Sequence, residues 1–208
     1  MERTGAPAID ELWLRSLQKL AAYVAHDLKG ALNGVSVNLE VVRSRSEREG
    51  APASDVQKFS ASASEQLAIV IRGTTSLLAA SRAIKGPVDV AAIARNLVNV
   101  VVDTYAHEGG SIDAHLEGGL PAETGAPGNL VRFAMAEALL AAISTKQPLS
   151  IRVRSHPTPG VEITPLGVNA LSSDVRTALA GAGVQVTTAG HGISMVFSSP
   201  ANYPSEEA

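Results

Sequence analysis

The chain reads as an α+β protein in two parts. A long antiparallel helical hairpin, suited to pairing with a second copy as a dimeric four-helix bundle, precedes an α/β sandwich. Three observations predict this. Two interleaved apolar heptad rows, Leu17-Val24-Ala31 and Ala21-Leu28-Val35-Val42, run along one early stretch. A second stretch carries Ala63, Leu67, Val70, Thr74, Leu77 and Ser81, stepping alternately by four and three. Rows with that spacing form seams against which another helix packs. After the breaker Lys85-Gly86-Pro87, short helical and alternating strand patterns take over, as expected where a glycine-proline pair ends a helix. The predicted parts are residues 9–84 and 87–199.

In chain order, residues 1–8 read as a short flexible lead. The first helix is expected from Ile9 to Arg48, about 60 Å at ~1.5 Å per residue. A helix that long needs a partner along most of its length. The polar stretch Ser46 to Ser54, with Gly50 and Pro52, reads as a turn. Ser54 followed by Gln57 matches a capping box, so the second helix is expected from Asp55 to Ile84. The short turn makes the two helices antiparallel. One hairpin cannot cover both of its apolar faces, hence the expected homodimer; the alternative is a monomer whose hairpin folds onto its own sandwich. Beyond Pro87 the reading is a short extended piece to Val90 and a helix from Ala91 to Ala106 with Ile93, Leu97, Val100 and Val101 inward. A strand over Ser111 to Glu117 and a loop over Gly118 to Gly128 follow. Next come a buried alanine-rich helix from Asn129 to Thr145 and a hairpin of Leu149–Ser155 with Val161–Pro165. The last elements are a helix over Ser172 to Ala180, capped by Ser172 or Ser173, and a hairpin of Val184–Thr188 with Ile193–Ser198. The tail ANYPSEEA reads as loose.

Composition narrows the function. The chain has 208 residues, 45% hydrophobic but only 3% aromatic, with a net charge of −3 and no cysteine. A near-neutral chain with few stacking side chains is a poor nucleic-acid or anionic-membrane binder. Without cysteine there are no disulfides or thiolate metal sites. No apolar run reaches the ~18 residues of a membrane span, and the start shows no signal-peptide core. A cytoplasmic protein is the expectation.

The chemistry-bearing stretch is Tyr23 to Val42. His26 lies two positions from both Val24 and Leu28, roughly 200° around a helix from each. It therefore points away from the seam, on the face that also carries Ala22, Gly30 and Asn33. His107, His115, His156 and His191 show no metal-ligand spacing and read as loop or strand-surface histidines. Glu137 reads as a satisfied polar residue at the domain surface, with a metal ligand as the alternative.

His26-Asp27-Leu28-Lys29-Gly30-Ala31-Leu32-Asn33 resembles the H-box of bacterial histidine kinases, H-[ED]-[LI]-[KR]-x-P-L. The match covers His26, Asp27, Leu28, Lys29 and Leu32. The resemblance implies that His26 accepts a phosphoryl group and that Asp27 orients its imidazole. Lys29, Gly30 and Asn33 are then the expected partner and phosphoryl contacts. Ala31 replaces the usual proline, so no kink is expected. Gly30 stands where many kinases carry the Asn or Thr of a phosphatase activity.

The element order after Pro87 resembles the Bergerat (GHKL) ATP-binding domain that follows this hairpin in histidine kinases, in a degenerate form. No Asn or Asp lies between Leu130 and Thr145, where the family's N-box holds Mg²⁺ and phosphates. Ile163-Thr164-Pro165-Leu166-Gly167 stands where the adenine-binding D-x-G-x-G is expected. The combination resembles the ChpT-like phosphotransferases. It implies histidine phosphotransfer between response-regulator receiver domains, with no cofactor bound by this chain and Mg²⁺ supplied by the receiver. The alternatives are a pseudokinase-like dimeric adaptor that only docks regulators, and a kinase with an aberrant nucleotide site.

Overall fold

The computed structural model describes residues 8–48, 52–84, 86–116, 122–155 and 157–198. Residues 1–7 of the expected lead, 49–51 of the expected turn, Lys85, the expected strand end Glu117 with 118–121 of the expected loop, His156 and the residues from 199 lie outside the described residues.

Helix α1 runs unbroken from Ile9 through Ala31 to Ser46. Asp10 and Glu11 in its first turn and Arg43 and Arg45 in its last complement the helix dipole. Helix α2 spans Ala53–Ser81. Ser54 does not cap it, contrary to expectation. Pro52, extended at φ −62° and ψ 130°, is the N-cap, with no side-chain capping bond. The Asp55 N–H donates to the Pro52 carbonyl at 3.0 Å. The fixed φ of proline presets the entry, so the helix starts two residues before the expected Asp55.

The two helices pack through Leu20, Val24 and Ala31 on one side and Ala63, Val70, Gly73, Ser76 and Ala80 on the other. The expected α2 seam is half right. Ala63 and Val70 are buried, whereas Leu67, Thr74 and Ser81 are exposed. The small residues Gly73, Ser76 and Ala80 take the contact because they let the helices come close. A Cβ added to Gly73 would stand 2.9 Å from Cδ2 of Leu28. Farther up, Asn38 Nδ2 donates to Ser62 Oγ at 3.2 Å and to Gln66 Oε1 at 3.1 Å. Leu32 and Leu39 on α1, and Leu67, Ile71 and Leu78 on α2, remain exposed.

A short strand β1, Val88–Asp89, leads into α3, Val90–His107. Asp89 caps α3 by accepting from the Ala91 N–H at 2.9 Å. Ile93, Leu97, Val100 and Val101 are buried as expected. Strand β2, Ile112–Leu116, is followed by β3, Glu123–Thr124, which pairs with β1 inside the stretch expected to be a plain loop. Helix α4, Gly128–Ile143, is apolar almost all round because it is covered by α1, α3 and the sheet. Strands β4, Leu149–Arg154, and β5, Gly160–Thr164, form the first expected hairpin. A 3₁₀ turn, Val168–Ala170, leads to α5, Ser173–Gly181, capped by Ser172 Oγ accepting from the Val175 N–H. Strands β6, Gln185–Ala189, and β7, Gly192–Val196, form the second hairpin.

The five-stranded sheet has the order β2-β4-β5-β7-β6. Only β2 and β4 are parallel, joined by the crossover through α4. Leu149, Ile151 and Val153 on β4, Val161 and Ile163 on β5, and Ile193 and Met195 on β7 are all buried in the core. This alternation follows from the two-residue period of strands.

The lower half of the hairpin joins that core through Trp13, Leu20, Val24 and Ala80. The fold of the single chain thus contains the contact expected for the monomeric alternative, and a second copy remains the expectation for the rest of the hairpin. Its base folds onto its own sheet domain, while its upper apolar stripe is left uncovered. The buried Arg132 of α4 secures the joint. Its Nη1 donates to the Arg82 carbonyl at 2.7 Å and its Nη2 to the Ala79 carbonyl at 3.1 Å. It thereby gives the Arg82 carbonyl a donor just past the end of α2 and adds a second donor to the Ala79 carbonyl, which the Arg82 N–H also reaches at 3.4 Å. Its guanidinium also stacks over Trp13, 5.7 Å from the ring centroid. Burial lowers its pKa.

Candidate functional site

Helix α1 presents His26 to solvent, its side chain 95% exposed. At about 100° per residue the position falls opposite the seam, and no packing force turns it inward. Lys29, Gly30 and Asn33 are exposed on the same side. A Cβ built on Gly30 meets nothing within 4 Å, so no packing contact requires glycine there. Gly30→Ala is accordingly expected to stabilise the fold by about 0.5–1 kcal/mol, because glycine in a helix interior carries an entropy cost. Thermal melts should shift upward by about 2–4 °C per kcal/mol for a chain of this size.

Asp27 turns the other way and is only 23% exposed. Its Oδ1 lies 3.2 Å from Nδ1 of His26. Its Oδ2 lies 3.4 Å from Nδ1 of His107, the last residue of α3. Burial pushes the Asp27 carboxyl up, but hydrogen bonds from His26, His107 and the Thr104 hydroxyl, in that order, outweigh it and hold its pKa below the usual carboxylate value. The group is thus ionised across the neutral range. Beside it, the Tyr23 hydroxyl donates to Glu108 Oε2 at 3.2 Å. Burial, then the Glu108 charge and its hydrogen bond, push the Tyr23 phenol well above its ordinary pKa, so it remains a donor.

Helix α3 also grips α2. Arg72 donates to Asp103 in a two-pronged pair, Nε to Oδ2 at 2.9 Å and Nη2 to Oδ1 at 2.8 Å. Asn96 Nδ2 donates to the Ser76 carbonyl at 3.1 Å. Sequence reasoning placed His26 and Asp27 together but missed His107 and Glu108. His107 was read as a loop or strand-surface residue, whereas it ends a helix and faces Asp27. The signal was there: Asn96, Asn99, Asp103 and His107, spaced three, four and four apart, form a polar row down one face of the helix.

The other histidines lie elsewhere. His115 pairs locally with Asp113 on β2 at 2.8 Å, and His191 is exposed between β6 and β7. Glu137 is satisfied by hydrogen bonds from Ser16 Oγ at 2.7 Å and Lys19 Nζ at 2.8 Å. Asn129 is held between Asp10 and Arg132. The polar groups of α4 are thus engaged with the hairpin and with one another. A groove between α1 and α5, floored by Phe133 of α4, is lined by Ile9, Leu12, Val175 and Ala178, with Arg15 and Asp174 on its walls. Among the described residues, no group of three or more His, Cys, Asp or Glu is placed to hold a metal. No described helix is long and apolar enough to cross a membrane.

No family model matches the sequence, and no curated protein does. The chain does match solved histidine kinases. One is full-length ShkA in complex with AMPPNP, at 16% identity and a TM-score of 0.38, over 88% of this chain and 45% of that one. A second is the histidine kinase ThkA in complex with the response regulator protein TrrA, at 11% identity and a TM-score of 0.41, over 91% of this chain and 64% of that one. A third is the Acinetobacter baumannii histidine kinase AdeS, at 11% identity and a TM-score of 0.37, over 83% of this chain and 97% of that one. The chain thus spans less than two thirds of the first two.

Proposed function

We propose that this protein relays phosphoryl groups between receiver domains of response regulators through His26, without binding ATP. The observation that carries the reading is the pairing of an almost fully exposed His26 with an ionised Asp27 on its Nδ1. An ionised carboxylate only accepts hydrogen bonds. In the neutral imidazole Nδ1 is then the nitrogen that carries the proton, and Nε2 the one with the lone pair, facing solvent. In the step proposed, that lone pair attacks the phosphorus of a receiver's aspartyl phosphate. The N–P bond forms as the P–O bond to the aspartate breaks, and the bonding pair returns to the receiver's carboxylate. The imidazole gains positive charge, which the adjacent Asp27 offsets. Return transfer reverses each change. Catalysis of this kind rests on positioning and electrostatics, and Mg²⁺ comes with the receiver. Lys29, Gly30 and Asn33, on the same side as His26, are the proposed receiver contacts, and the open space over Gly30 lets another protein come close.

The exposed stripe of Leu32, Leu39, Leu67, Ile71 and Leu78 supports a homodimer through the hairpin. It lies beside the intrachain seam, as the second contact face of a helix in a four-helix bundle does. The test is to incubate the protein with a receiver carrying labelled aspartyl phosphate. Acid-labile, base-stable label should appear on this chain without nucleotide, and millimolar Mg-ATP should give no binding heat. Label that appears only with ATP would make the protein a kinase. If no label appears from any receiver that binds it, the adaptor reading replaces this one.

A further inference from the structure

The two oxygens of Asp27 face two different imidazoles. Oδ1 receives Nδ1 of His26, and Oδ2 receives Nδ1 of His107. His107 is 80 residues away in sequence and belongs to the sheet domain. Its side chain is 61% exposed, so core burial does not explain its place. What places it is the end of α3, where Thr104 and Tyr105 are buried and the Tyr105 hydroxyl donates to the Gln147 carbonyl at 2.5 Å. The neighbouring Glu108 takes the Tyr23 hydroxyl. Tyr23 and Asp27, four apart, share one face of α1, so the end of α3 grips two successive rungs beside the candidate phosphoacceptor.

A carboxylate on a short side chain turns readily about its last bond, because that torsion is broad. Without His107 the carboxylate keeps only the exposed His26 and the Thr104 hydroxyl as partners, and water competes for Oδ2, so the group turns more freely. A second donor on Oδ2 removes that freedom and leaves Oδ1 aimed at Nδ1 of His26.

We propose that His107 is a positioning residue for His26: by holding Oδ2 of Asp27 it fixes the carboxylate that keeps the proton on Nδ1 and the lone pair on Nε2 of His26. The tautomer claim stands on geometry alone, while its kinetic consequence rests on the phosphotransfer reading above.

The test uses the full chain with His107→Phe, which removes the donor, and His107→Asn, whose amide nitrogen occupies the place of Nδ1. Because the side chain is largely exposed, both variants should fold, as circular dichroism would show. In nitrogen NMR of histidine-labelled protein, His26 should be held with its proton on Nδ1 in the wild type. It should become a mixture of tautomers in the Phe variant and return to the wild-type form in the Asn variant. In single-turnover transfer at saturating phospho-receiver, the Phe variant should be slower by about tenfold, as small losses of alignment are. Its half-saturating receiver concentration should be unchanged, and the Asn variant should recover most of the rate. An unchanged His26 tautomer in the Phe variant overturns the proposal, as does a loss confined to receiver affinity. If the wild type accepts no phosphoryl group at all, the phosphotransfer reading fails while the tautomer comparison still decides the role of His107.

Discussion

Replacing His26 with Gln should remove all phosphoryl labelling from a phosphorylated receiver while leaving the thermal melt and the particle mass unchanged. The amide of Gln fills similar space but has no nucleophilic lone pair, so the N–P bond cannot form. Stability should stay within about 0.5 kcal/mol, as for exposed sites whose side chains do not pack, because the His26 ring reaches out from α1 and its hydrogen bond is to Asp27 alone. Asp27→Asn should behave differently. The nucleophile remains, but the charge that favours one tautomer and offsets the developing imidazolium is gone. Transfer should slow by at least about 10–100-fold, the size seen when a metal-bound histidine loses the carboxylate that orients it. Residual label on the His26→Gln protein would move the acceptor elsewhere and end this assignment.

Ile71→Lys should give a folded monomer, whereas Val70→Lys should give an unfolded hairpin. The two positions are neighbours in sequence and about 100° apart on the helix. Val70 is buried against α1 in the same chain, and Ile71 is exposed on the uncovered stripe. An ammonium at position 70 must enter an apolar contact without a partner, which costs about 3 kcal/mol or more. At position 71 it stays in water in the single chain and is buried only if a second copy packs there. Light scattering should then report twice the chain mass for wild type and the single mass for Ile71→Lys, with equal helical circular dichroism. A wild-type monomer at about the same protein concentration would remove the paired bundle from the reading.

Much of this fold was legible because its elements are strongly periodic. The heptad rows gave α1 and α2, the alternating apolar residues of β4 and β5 gave a hairpin, and Ser172 announced α5. The errors arose where a local signal met a stronger one. Ser54 looked like a cap, but Pro52 sets the backbone first. Leu67 and Thr74 fitted a heptad row, but Gly73, Ser76 and Ala80 permit the closer approach and so take the seam. The pairing of β1 with β3 was hidden because a two-residue strand has no readable period. At the site, His26 and Asp27 were legible as neighbours. Which oxygen of Asp27 meets which histidine was not, since that depends on α3 docking beside α1 across many intervening residues.

The joint between hairpin and sheet has a mechanical meaning. A protein carrying its own phosphoryl donor must let that donor travel to the acceptor and retreat again. Here the guanidinium of Arg132 is clamped to the final turn of α2, Arg72 is forked onto Asp103, and Glu137 is tied to Ser16 and Lys19. Swinging the sheet domain would have to break several of these ties at once, including those of a buried cation that water cannot readily rescue. The joint is therefore built as a weld, not a pivot, and under the relay proposed above the hairpin is a fixed post to which receivers have to bring and from which they have to take the phosphoryl group.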